Sequence, residues 1–156
     1  MNRRLFLIAT SLAAIANRSY AHHGWSSFDQ TQPIYLKGVV KEVEWINPHV
    51  EIDMELAPDL KLPADLATRV VPAQQAGIDA AGLLAKTKIP SRKDREWEVE
   101  LAPLTRMQAW NIEPIKKGES IEVVGFTFPK QEGEAILRAE FLFRGGKAYA
   151  LRSGPV

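Results

Sequence analysis

Three histidines, His22, His23 and His49, are the side chains of this sequence best suited to holding a transition metal. What the first two can do depends on the segment ahead of them. Met1 to Ala21 has the parts of a secretory signal: basic Arg3-Arg4, an apolar core from Leu5 to Ala16, and Ser19 and Ala21 at −3 and −1 of a cut before His22. After that cut His22 carries a free α-amino group, and this amine chelates one ion together with the ring nitrogen. A second imidazole completes a T-shaped set of nitrogens, a histidine brace, which favours copper. His49 is the natural donor, since it follows the Asn47-Pro48 turn between the first two expected strands. His23 is the other candidate, Glu51 is an acid that can join the set, and Trp25 and Trp45 are close enough in sequence to shield it. The plainer alternative leaves His22-His23 as a solvated chain end and His49 as a turn residue.

The leader also decides compartment and charge. Its apolar core is shorter than the about 20 residues that span a bilayer, so the expectation is export to the periplasm with no membrane span left after cleavage. Arg3-Arg4-Leu5-Phe6-Leu7 also fits the twin-arginine pattern, leaving the export route open. Cleavage removes Arg3, Arg4 and Arg18 and no acid, so 20 basic residues fall to 17 against 19 acidic ones and the formal charge moves from +1 to −2. That balance argues against a nucleic-acid partner. With no cysteine, the chain has neither thiolate ligands nor disulfides, and its stability must come from a core.

Residues 22–156 read as a single domain. Ile34 to Ile46 is a long strand whose inward parity changes: Ile34 and Leu36 share one face and Val39, Val43 and Trp45 the other, with Gly38 expected at the crossover as a bulge or bend. Val50, Ile52, Met54 and Leu56 alternate with acids, and so do Trp97, Val99 and Leu101. Pro103 opens a short helix bearing Leu104, Met107 and Trp110; Ser120 to Phe128 and Glu134 to Phe143 are further strands, and Arg144-Gly145-Gly146-Lys147 turns into a last one. Residues 57–93, rich in proline and small residues, form a peripheral insertion expected to project, with a weak helix between Ala73 and Lys86. Three strands, a helix and two strands give a mainly β fold, a small OB-like Greek-key barrel. Val43, Trp45, Val50, Ile52, Met54, Trp97, Val99, Leu101, Ile121, Val123, Leu137, Ala139 and Phe141 are its expected core.

The same alternation puts Glu51, Asp53 and Glu55 on the outward face of one strand, with Glu96, Glu98 and Glu100 outward on the next. Like charges opposite one another destabilise a sheet, so basic groups must cover this face or a cation must meet it. Phosphate backbones would be repelled there. No nucleophile elbow, phosphate loop or H-E-x-x-H motif is present, so catalysis is not expected.

His22-His23-Gly24-Trp25-Ser26-Ser27-Phe28, Leu36-Lys37-Gly38-Val39-Val40, Glu44-Trp45-Ile46-Asn47-Pro48-His49 and Trp97-Glu98-Val99-Glu100-Leu101 together resemble an exported bacterial family, domain of unknown function 6152. Its members read AHHS-x-F, L-x-G-x-V, EW-x-NPH and W-x-V-E-L. The resemblance implies a small periplasmic β-barrel and, by joining His-His to NPH, a shared metal site. The chain departs from the family in its longer 57–93 insertion. It also carries Phe126-Thr127-Phe128-Pro129 where many members have histidine or tyrosine before proline, so a ligand there is lost. The functional expectation is a copper carrier or sensor using His22 and His49. The alternative is a metal-independent module that binds a periplasmic protein or small ligand through the loops at Asn47 and Pro129-Lys130-Gln131.

Overall fold

The computed structural model describes residues 24–156. Six strands form one sheet: β1 (Ile34–Glu44), β2 (Glu51–Leu56), β3 (Glu96–Glu100), β4 (Ser120–Phe126), β5 (Ile136–Arg144) and β6 (Lys147–Ala150). They run in the order β3-β2-β1-β4-β5-β6, and a further pairing of β3 with β5 closes the first five into a barrel. The closing pair is parallel, Glu98 beside Ile136 and Glu100 beside Arg138, and the other pairs are antiparallel. With helix α2 (Leu104–Ala109) between β3 and β4, this is the expected OB-like arrangement. Closure also satisfies the main-chain groups that an open sheet edge would expose.

The interior is apolar. Ile52, Met54, Trp97, Val99, Leu101, Ile121, Val123, Leu137, Ala139 and Phe141 are almost fully buried, each large side chain contributing about 1.5–3 kcal/mol by leaving water. Val43 and Trp45 are only partly buried, packing against the edge of this cluster.

Strand β1 departs from the expected phase. Ile34, Leu36 and Val40 point inward, whereas Val39 is 45% exposed. The slip falls between Val40 and Glu42, where the register with β2 shifts from Met54 to Asp53, so the bulge lies beyond Gly38. Gly38 instead permits a close approach of strands. A Cβ there would lie 2.2 Å from the Glu55 carbonyl oxygen, so only glycine allows β2 this near.

The stretch 57–93 lies along the barrel and does not project. Leu66 and Leu84 are buried in the main cluster, and Tyr35 donates its main-chain N–H to the Lys88 carbonyl at 2.8 Å. Its helix α1 (Ala80–Lys86) is shorter than expected. Asp79 caps it by accepting from the Gly82 N–H at 2.9 Å, and a Cβ at Gly82 would collide with that carboxylate. No helix among the described residues is long and apolar enough to cross a membrane.

Candidate metal centre

The turn after β1 is built to present His49. The Asn47-Pro48 peptide is cis, and the Asn47 Oδ1 accepts from the Leu104 N–H at the start of α2, 3.1 Å away. Val50 then bonds Ala102 and Leu101 through its N–H and carbonyl, at 2.9 and 2.8 Å. His49 is thus clamped between β2 and the end of β3, and its side chain is 7% exposed.

The expected register of β2 and β3 sets acids against acids. Glu51 pairs with Glu100, Asp53 with Glu98 and Glu55 with Glu96. The two ends of this ladder are handled differently. At one end Lys41 bonds Glu55 at 3.0 Å and Arg95 bonds it at 3.2 Å, which holds the Glu55 carboxyl below its usual range. At the other end the carboxylates close round the histidine. His49 Nδ1 lies 3.3 Å from Glu51 Oε1, and His49 Nε2 lies 3.9 Å from Glu100 Oε2. Arg138 on β5 donates to the same Glu100 oxygen at 3.0 Å.

The surroundings are low in solvent and rich in negative charge. The side chains of Glu51 and Glu100 are 12% and 2% exposed. Burial, then the charges of Glu100, Glu44 and Asp53, push the Glu51 carboxyl above its usual value. Burial also raises Glu98 to about 7, reinforced by Glu51, Glu100, Asp53 and Glu134. A group of carboxylates that resists losing its protons is one that a cation would stabilise.

One donor atom each from His49, Glu51 and Glu100 can be chosen within 4.8 Å of one another. Donors bonded to one ion at about 2.0–2.2 Å lie no more than about 4.4 Å apart, so modest side-chain rotation closes the set. These residues could therefore hold a metal ion. Of the expected ligands, His49 and Glu51 are brought together here, whereas His22 and His23 lie outside the described residues, as does the leader. Trp45 is partly buried at the barrel edge. Trp25 reaches the site through Arg138, whose guanidinium carbon is 5.1 Å from its ring centroid.

Glu100 is a ligand candidate that strand alternation placed only on an acidic face. Its parity and its position opposite Glu51 follow from the sequence, but not its burial, which comes from the parallel neighbour Arg138.

Neither curated proteins nor solved structures give a match to this chain. Residues 9–61 do match a family model described as a family of unknown function, DUF6152. That span holds the His22-His23 pair, β1, the Asn47-Pro48-His49 turn and β2, and it is the family to which the motifs point.

Proposed function

We propose that this is an exported periplasmic protein that binds one copper ion and acts as its carrier or sensor. The single observation that carries the reading is the buried His49, Glu51 and Glu100 cluster, reached from Trp25 through Arg138. His22 is three residues before Trp25, and an extended chain covers about 3.3–3.6 Å per residue, so roughly 10 Å of reach is available. A protein cut before His22 then adds an amine and an imidazole to the His49 ring, with Glu51 or Glu100 as an oxygen donor. Nitrogen donors without thiolate rank Cu(II) first among divalent first-row metals. Carriage or sensing fits better than catalysis, because the sequence carries no recognisable catalytic constellation to accompany the cluster.

The test is titration of the protein beginning at His22 with Cu(II), followed by electron paramagnetic resonance. His49→Ala and a form with one extra residue before His22 are run beside it. One tight equivalent, weakened in both variants, supports the reading. Equal binding by all three proteins, or none by the native one, removes it. A second reading, docking of a periplasmic protein at the Asn47 loop, is favoured by the exposed Ile46 beside it. It predicts capture from periplasmic extract that is indifferent to chelator and lost in Ile46→Asp.

A further inference from the structure

Arg138 joins the acidic row through the strand pair that closes the barrel. Glu51, Glu100 and Arg138 stand side by side on β2, β3 and β5, so two carboxylates and one guanidinium lie in line across three strands. The Arg138 side chain is 8% exposed, yet its guanidinium has one acceptor among the described residues, Glu100 Oε2 at 3.0 Å. Its Nε–H is buried with no acceptor there. The same Glu100 oxygen lies 3.9 Å from His49 Nε2. Arg152 is held quite differently, donating through two nitrogens to Glu140 and through a third to Gln30.

On its other sides Arg138 meets an aromatic face and further cations. Its guanidinium carbon lies 5.1 Å from the Trp25 ring centroid, and the Arg152 guanidinium shares that ring at 3.9 Å. Burial and the Arg138 charge together lower the pKa of Arg106. Arg138 is thus pressed toward the carboxylates by like charges behind it, and a single hydrogen bond fastens it there. A cation tied so lightly to a candidate ligand is one that a second cation can displace.

We propose that Arg138 is the resident counter-cation of the metal centre: it neutralises Glu100 until an ion displaces it, and its charge holds the affinity down to a level at which the ion can be handed on. This role rests on the metal reading above and deepens it into a means of release. Two effects of Arg138 oppose one another. As an outer partner that orients a ligand it would strengthen binding about 10–100-fold. As a cation beside that ligand it weakens binding. A neighbouring arginine lowers a carboxylate's affinity for the singly charged proton by about 10–1,000-fold. A divalent ion carries twice that charge, so the repulsion outweighs the orienting gain.

The experiment compares the native protein with Arg138→Gln and Arg138→Lys in titrations with Cu(II) and with Zn(II), and records thermal melting with and without each ion. Arg138→Gln keeps an N–H for Glu100 but loses the charge. It should bind both ions at least about tenfold more tightly and gain more in melting temperature from them. Arg138→Lys keeps the charge and should stay within about threefold of native. A second readout needs no substitution, so it decides the matter even where Arg138→Gln folds too poorly to titrate. In NMR of the native protein, the Arg138 side-chain N–H groups should exchange faster with water once Zn(II) is added. Equal or weaker binding by Arg138→Gln, a change of about tenfold in Arg138→Lys, or unchanged exchange overturns the counter-cation role while the metal centre stands. Absence of Cu(II) binding by all three proteins removes the copper reading with it.

Discussion

Two buried carboxylates on neighbouring strands, Glu140 on β5 and Glu100 on β3, occupy opposite electrostatic situations. Glu140 is fully buried, and its oxygens accept from Arg152 Nε and Nη2 at 2.8 and 2.5 Å and from Gln74 Nε2 at 3.0 Å. Gln74 also accepts from Ser153, so this one acid ties the 57–93 stretch and the chain's last residues onto the barrel. Glu100 has Arg138, but it also faces Glu51 across the strand pair and His49 beyond. The first carboxylate has an arginine and an amide to itself, whereas the second has one arginine but lies beside a second carboxylate and a histidine. Burial alone therefore does not mark a site. An excess of one charge sign, held beside a metal-ligating ring, is the distinguishing feature.

The largest effect expected from this contrast is on folding. Glu140→Ala leaves the partly buried Arg152 guanidinium with no carboxylate and Gln30 as its remaining side-chain acceptor, removes the acceptor of Gln74 Nε2, and should cost about 3 kcal/mol in denaturant unfolding. Glu100→Gln should behave in the reverse way. It relieves repulsion with Glu51 and keeps a partial acceptor for Arg138, so stability should change by less than about 1 kcal/mol. Its metal affinity should nevertheless fall well beyond the roughly 10–100-fold typical of losing an outer-shell partner. Unfolding and titration of the same two variants check both statements, and a Glu100→Gln that unfolds like Glu140→Ala would erase the distinction.

A smaller effect is expected from pH. The carboxyl of Glu98 is raised to about 7 in the folded protein, so between the usual carboxylate value and about 7 the native state binds more protons than the unfolded one. Stability must then fall as pH rises through that window. The metal-free protein should melt at a higher temperature at about pH 5.5 than at about pH 8, and Glu98→Gln should flatten the slope. The smallest effect belongs to the compensated end of the acidic ladder. Lys41→Ala removes an exposed pair with Glu55 and should leave the unfolding midpoint essentially unchanged, since solvent screens such a pair.

Much of the barrel was legible because alternation reports which face a strand buries. It worked for β2 and β3, where Ile52, Met54, Trp97 and Val99 point in and acids alternate with them. It failed in β1, where Val39 is apolar yet exposed and the phase slips only after Val40, since a bulge is set by the partner strand as well as by the strand itself. Leu66 and Leu84 gave no sign of joining the core because no periodic run surrounds them. His49 and Glu51 were legible as candidate ligands from type and spacing. Glu100 needed the closing β3–β5 pair, a contact between distant parts of the chain.

Copper at His49 is open to direct observation in crystals of the protein beginning at His22, grown with Cu(II) and measured at the copper edge. One strong anomalous peak is expected within about 2.0–2.3 Å of a His49 ring nitrogen, with a Glu51 or Glu100 oxygen alongside it. A peak elsewhere on the surface, or none at His49 with copper in excess, would contradict the metal centre.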